Sequence, residues 1–193
     1  MDNLDRAWLP RRLEKPRRML PAALDGARLG GWWADLGCGG GVFTGVLALE
    51  APEPRGIVAV DRDLAALRKL RVNFDRAGLG GSSLRLLRAD LRCLPLEGQF
   101  EGMLAANALH FLRPAEQLAL LEKCKDLLWP GGRLIVVEYN TSHGTGAVPH
   151  PLPAERFLEM AVRAGFERAH IAARTPSSYL GEMFVGVARG RNV

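Results

Sequence analysis

Cysteine is scarce in this chain, and its three copies stand too far apart to form a motif. Cys38, Cys93 and Cys124 are the only thiols among 193 residues, and no two share a CxxC spacing. Neither a disulfide framework nor a zinc site is indicated, so the expectation is no metal and three reduced thiols in or near the core. Long hydrophobic runs are missing too. No apolar stretch reaches the roughly 18 residues that cross a bilayer, and the N-terminus lacks a signal-type apolar core, which makes the cytoplasm the expected compartment. The chain also lacks internal repeats and low-complexity segments.

Strong net charge is absent as well. The balance is +5, concentrated in "RRLEKPRR" at residues 11–18, which carries five basic groups against one acid. Such a patch would suit nucleic acid or another anionic partner, but a solvated helix face is the plainer reading. No aromatic residues alternate with these arginines, and the charge is modest for a nucleic-acid-binding domain.

What is present suits one domain with a well-buried core: 48% hydrophobic and 24% charged residues. Residues 1–30 read as a basic N-terminal arm of short helices, broken at Pro10, Pro16 and Pro21. Residues 31–193 read as a single domain. Within it "WWADL" is a short apolar strand that ends at glycines, "VFTGVLALE" a helix, and "GIVAVD" a buried strand. "DLAALRKLRVNFDRAG" opens on Asp63 as N-cap, places Leu64, Leu67, Leu70 and Phe74 on one face, and closes at Gly78. "SLRLLRAD" and "FEGMLAANAL" read as strands, and "PAEQLALLEKCKDLL" as a helix with Leu118, Leu121 and Leu128 inward. "PGG" at 130–132 turns into the strand "RLIVVEY". A polar loop, the helix "PAERFLEMAVRAG" and an antiparallel strand pair follow. Alternating apolar strands and helices specify a doubly wound α/β domain with a mostly parallel sheet, which binds ligands at the strands' carboxyl edge.

That edge collects polar residues from an otherwise apolar set. Strand one ends in Asp35 and a glycine loop, strand two in Asp61 with Arg62 and Asp63 behind it, strand three in Asp90, and strand four in Asn107 with His110 beyond. The convergence favours one ligand across all four. The loop holds Gly37, Gly39, Gly40, Gly41 and Gly45. In a GxGxxG register the third slot falls on Val42 or Thr44, and in a P-loop register Val46 replaces the lysine, so both phosphate motifs fail. What remains is Asp35-x-Gly37-x-Gly39-x-Gly41, followed by Asp61 twenty positions after the last glycine. An acid ending strand two is placed to accept hydrogen bonds from the ribose hydroxyls of a nucleoside, which need not carry phosphates.

With these residues in place, the chain resembles the class I S-adenosylmethionine-dependent methyltransferases. "DLGCGGG" is similar to their first motif, "VAVDRD" to the strand-two acid and "RADLRCLPL" to the adenine-contacting segment. "ANALHFL" and "LLWPGGRLIVVEY" are similar to the segments of strands four and five. The similarity runs from about residue 30 to the C-terminus and lies nearest a small-molecule branch similar to quinone-biosynthesis methyltransferases. It implies a seven-stranded Rossmann-like sheet with an antiparallel last strand, and S-adenosyl-L-methionine as cofactor with S-adenosyl-L-homocysteine as product.

Position by position, the resemblance implies that Gly37, Gly39 and Gly41 admit the cofactor's methionine part and ribose. Asp35 would bond its amino group or hold the loop. Asp61 would bind the ribose, Arg62 lie on the adenine face, Asp90 accept from the adenine amino group, and the Leu91 backbone contact the ring. Asn107 and His110 would face the methionine end or the acceptor.

Methyl transfer asks mainly for positioning, and an oxygen or nitrogen acceptor also asks for a base near neutral pKa. The candidates are His110, His143 and His150, with Glu138 and Tyr139 at the end of strand five. The loop with His143 and His150 also carries Gly144 and Gly146, as a substrate lid would. No Asn-Pro-Pro-Tyr or Asp-Pro-Pro-Tyr signature follows strand four, which counts against DNA adenine chemistry. A small or medium, partly apolar acceptor is expected, lined by some of Trp8, Trp32, Trp33 and Tyr139. The rival readings are an RNA methyltransferase gripping phosphates through residues 11–18 and a non-catalytic partner subunit of the same fold. A nicotinamide-dependent oxidoreductase is already disfavoured by the failed GxGxxG.

Overall fold

Seven strands hydrogen-bond into one sheet: β1 (Trp32–Leu36), β2 (Gly56–Asp61), β3 (Ser83–Arg88), β4 (Phe100–Ala106), β5 (Leu128–Tyr139), β6 (Arg168–Ser177) and β7 (Gly181–Arg189). Their order is β3-β2-β1-β4-β5-β7-β6. The first five are mutually parallel, and β7 inserts antiparallel between β5 and β6. The computed structural model describes residues 11–27, 30–51, 54–79 and 83–190, and only the backbone of Arg11, Arg12, Leu13 and Lys15. Trp8 and the break expected at Pro10 lie outside the described residues. Among these residues no helix is long and apolar enough to cross a membrane.

Helices cover both faces of the sheet because its central strands, β1, β4 and β5 above all, are apolar on both faces. On one face Ala34, Leu36, Met103 and Val136 pack under α5 (Pro114–Leu127) and α6 (Ala154–Arg163). On the other, Trp33, Ile57, Leu104 and Ile135 meet α2 (Pro21–Leu24) and α3 (Val42–Glu50), while Ala59 meets α4 (Leu64–Arg76). The N-terminal segment joins this core. Met19 closes α1 (Arg11–Met19), and with Leu20, Ala23 and Leu24 it is buried beside β-sheet residues. Buried Arg133 of β5 holds it in place, its Nη1 donating to the carbonyls of Ala23 (3.1 Å) and Asp25 (2.7 Å) at the end of α2.

Several boundaries differ from the sequence reading, each for a local reason. Pro16 lies inside α1 rather than ending it. A proline removes one backbone donor, and burial of Met19, with Leu20 just beyond, carries the turn past it. β4 ends at Ala106, not Leu109, because Asn107 takes a left-handed φ of 51° that breaks the pleat. β5 starts at Leu128, ahead of the "PGG" turn. Leu128 pairs with Phe100, and the register then shifts across Gly131, whose φ is 78°, before Arg133 pairs with Gly102.

In α5 the buried positions are Gln117, Leu120, Leu121, Cys124 and Leu127, while Leu118 is half-buried and Leu128 belongs to the strand. In α4, Leu67, Leu70 and Phe74 are buried but Leu64 stays exposed at the helix's first turn, above the sheet edge. Cys38 and Cys124 are buried; Cys93 is exposed, on a one-turn helix at the sheet rim.

Gly186 of β7 faces α6, and a Cβ there would run into the Phe157 ring. Gly186→Ala should therefore destabilise by about 1–3 kcal/mol, the range for overpacking a full core. Gly146→Ala, where a Cβ meets nothing within 4 Å, should leave the melting temperature unchanged. Thermal denaturation of both variants checks the pair; equal melting temperatures would contradict this packing.

Candidate functional site

The ends of β1 to β4 surround a cavity of about 190 Å³. Its wall includes Gly37, Asp61, Arg62, Asp90, Leu91 and Asn107, six of the nine residues expected to meet the cofactor. Ala89, Arg92, Ala108, Phe111 and Leu112 complete it, so one end is polar and charged and the other apolar. The sequence reading had named none of these five.

The glycine loop begins as β1 runs out, and Gly37, Gly39 and Gly41 all take positive φ (73°, 50° and 87°). Their reasons differ. A Cβ on Gly37 would come 2.6 Å from Ala108 Cβ, and one on Gly41 2.5 Å from Leu70 Cγ, so these two are small because the protein's own side chains fill the space. Over Gly39 a Cβ meets nothing within 4 Å, so there the backbone lies open to approach.

Asp61 fixes this loop. Its Oδ2 accepts from Gly39 N and its Oδ1 from Asp63 N, both at 2.8 Å. Asp63 then caps α4 by accepting from Ala65 N. Asp61 is half-buried and lines the cavity, and its carboxylate has further lone pairs beyond these two bonds.

Asp35 stands behind the loop and outside the cavity wall. Its Oδ2 accepts from Thr44 Oγ1 at 2.5 Å, which binds the strand to the first turn of α3, and its Oδ1 has no partner. Burial is the main force on this carboxyl and the Asp61 charge adds to it, so its pKa rises to about 7 despite the Thr44 bond. Asp90 is the opposite case. Arg92 grips it, Nε on Oδ1 at 2.9 Å and Nη2 on Oδ2 at 2.6 Å, while the Arg92 N–H adds a third bond. Those bonds draw its pKa down to about 2, leaving it a paired carboxylate at the polar end of the cavity.

The candidate proton acceptors lie beyond the cavity's apolar end. His110 is buried on a 3-10 turn, Leu109–Phe111, that β4 feeds through Asn107. Buried Glu138, at the end of β5, holds that turn. Its Oε1 accepts from Leu109 N (2.9 Å) and His110 N (3.3 Å), and its Oε2 lies 2.6 Å from His110 Nδ1. Glu138 is therefore a partner of His110 rather than an independent base. Tyr139 is half-buried, and burial with the Glu138 charge raises its pKa above the ordinary phenol value, so it stays protonated at neutral pH.

His143 is exposed, and His150 is strapped by its backbone: its N donates to His110 O, and its carbonyl accepts from buried Gln117 Nε2. With Asn140 Nδ2 donating to Glu182 and Thr145 Oγ1 3.3 Å from Tyr179 Oη, the loop over residues 140–150 is tied down along its length. These bonds anchor the glycine-containing loop at Asn140, Thr145 and His150.

Two expected contributors stand elsewhere. Trp33 is fully buried under α3, and Trp32 is half-buried beneath the Arg85 guanidinium at the amino end of β1. The basic stretch is partly neutralised away from the cavity. Arg17 pairs with Glu50 at the far end of α3, and Arg18 with Glu14.

The residues fit S-adenosylmethionine. Asn107 Oδ1 is a buried acceptor without a partner, on a residue that lines the cavity. Asp61 and Asp90 offer further acceptors, and the open backbone at Gly39 leaves room beside them.

Asp35 gives a pH test. The folded chain holds its proton up to pH about 7, against 3.8 for the free group. The folded state therefore binds more protons between those values, and stability falls as pH rises through the interval. Asp35→Asn removes the titration, so the variant should gain on the wild type in melting temperature from pH ~4 to ~8. Parallel melting curves over that interval would refute the buried-acid assignment.

Residues 34–132, just over half of the chain, match the methyltransferase domain family. Carboxy-S-adenosyl-L-methionine synthase from Salmonella paratyphi C (strain RKS4594) is 35% identical over 106 residues, 54% of this chain, which spans only 42% of that enzyme's length. Among solved structures, magnesium protoporphyrin IX methyltransferase from Synechocystis PCC 6803 with bound SAM superposes with a TM-score of 0.69 at 16% identity, covering 96% of this chain and 81% of that one. A SAM-dependent methyltransferase from Methanosarcina mazei gives 0.69 at 14% identity, over 86% and 95%. These two share the fold. Family match, sheet order and cavity chemistry agree: the chain belongs to the class I S-adenosylmethionine-dependent methyltransferases.

Proposed function

We propose that this enzyme methylates a small or medium, partly apolar acceptor, with Asp61, Asp90, Leu91 and Asn107 holding the cofactor. The observation that carries this reading is the two-sided cavity: charged at Asp61, Arg62 and Asp90, apolar at Ala108, Phe111 and Leu112. When bound, S-adenosylmethionine supplies a methyl group already electrophilic on its sulfonium. Asp61 and Asp90 accept from hydroxyl and amino donors at the polar end. Asn107 Oδ1 accepts near the apolar end, and Asp35, tied to Thr44, holds the strand-to-helix turn from behind. The apolar wall keeps water from the reacting end and so strengthens every polar contact inside it.

For an oxygen or nitrogen acceptor, His110 is our candidate proton acceptor. Glu138 takes its Nδ1–H, which leaves Nε2 as the nitrogen with a lone pair to offer. Neither His143, exposed on the loop, nor Tyr139, held protonated, has a comparable partner.

Calorimetric titration with S-adenosylhomocysteine tests the cofactor role of Asp61. A carboxylate hydrogen bond is worth roughly 1.5–3 kcal/mol, so Asp61→Ala should weaken binding at least tenfold. The variant's folded far-ultraviolet spectrum should persist. Unchanged affinity would remove Asp61 from the cofactor site, and tight binding of NAD in place of S-adenosylhomocysteine would overturn the methyltransferase reading itself.

A further inference from the structure

Four rings run in sequence away from the cavity, along the tips of β4, β5 and β7. Phe111, on the cavity wall, lies 4.3 Å from His110, centroid to centroid. His110 lies 6.3 Å from Tyr139, and Tyr139 meets Tyr179 edge-on at 5.6 Å. Tyr179 sits on the β6–β7 turn, which reaches this edge because β7 runs antiparallel to β5 and pairs Met183 with Tyr139. His110 is buried and Tyr139 half-buried, but the two ends of the row are not core. Phe111 is 57% exposed and Tyr179 53% exposed, in a chain with only two tyrosines. Their supports are rigid nonetheless: Glu138 pins the turn beneath Phe111, and the Tyr179 hydroxyl lies 3.3 Å from Thr145 on the strapped loop. Large rings held firmly yet open to water, beside a methyl-donor cavity, are poised to meet another ring.

We propose that this row is the acceptor site and that it takes a planar aromatic acceptor, a phenol or heteroaromatic ring. The inference rests on the methyltransferase reading and narrows its substrate class. Offset and edge-to-face contacts occur at centroid separations of about 4.5–7 Å, so an incoming ring finds open aromatic surface at Phe111 and at Tyr179, the two exposed ends of the row. A saturated ring of equal size lacks the flat face and edge pattern that such contacts need. A nucleobase is planar as well, but the described arginines of residues 11–18 pair with Glu50 and Glu14, so a free small molecule is the source to which the proposal commits.

The test is binding of 2-naphthol and of its saturated counterpart, decahydro-2-naphthol, to the full chain loaded with S-adenosylhomocysteine, read by saturation-transfer NMR. The planar compound should bind at least tenfold more tightly. Tyr179→Ala should weaken 2-naphthol at least fivefold and leave S-adenosylhomocysteine affinity unchanged, and Tyr179→Phe should restore it. A short single-stranded RNA should not displace the probe. Equal binding of the two naphthol frameworks, indifference to Tyr179→Ala, or displacement by the RNA would each overturn the acceptor assignment while the cofactor site stands. Failure of S-adenosylhomocysteine to bind the wild type would instead defeat the methyltransferase reading, and this inference with it.

Discussion

The Asp61 carboxylate is the hinge of the architecture. One of its oxygens accepts from Gly39 N, on the loop after β1, and the other from Asp63 N, on the turn before α4. Two strand ends are thereby locked to each other by a single side chain. A parallel sheet ends each strand with backbone donors that the ladder no longer satisfies, and a carboxylate meets two of them at once. Loosening that lock would free the glycine loop, where Gly39 takes a positive φ with open space above its backbone.

The same solution recurs around the edge. Asp63 accepts from Ala65 N, Asp90 from Arg92 N, and Glu138 from Leu109 N and His110 N. Lining up acids at successive strand tips therefore has a structural reason as well as a ligand-binding one. Asp90 organises the turn that follows its own strand and Glu138 the turn after the neighbouring β4, and both turns contribute to the cavity wall. Asp35 shows where the two duties part. It is sealed behind the loop, and its raised pKa reflects burial and the nearby Asp61 charge, only partly offset by its hydrogen bonds to Thr44.

Function follows from what each tip adds to this frame. β1 to β4 supply charge, hydrogen-bond acceptors and an open glycine backbone. β4, β5 and β7 supply rings. Methyl transfer asks for two molecules brought together with little freedom, and the proposed cofactor and acceptor surfaces, of different chemistry, adjoin on one edge of the sheet.

Much of this was legible in the amino-acid sequence, because it rests on short-range physics. Strand and helix periods, the Asp63 cap, the glycine loop and the failure of both phosphate motifs are set by residues within a few positions of one another. Pairings across long stretches of chain were not. Nothing local ties Glu138 to His110 twenty-eight positions away, Gln117 to His150 thirty-three away, or Tyr139 to Tyr179. The exposed Cys93 and Leu64, Pro16 inside its helix and the bulged start of β5 likewise depend on what packs beside them. Sequence alone determined the sheet, its functional edge and the cofactor class, since patterning and turn chemistry are local. Tertiary structure decided which acids line the cavity, which histidine has a carboxylate partner and where the rings converge, since those depend on crossovers that bring distant strand tips together.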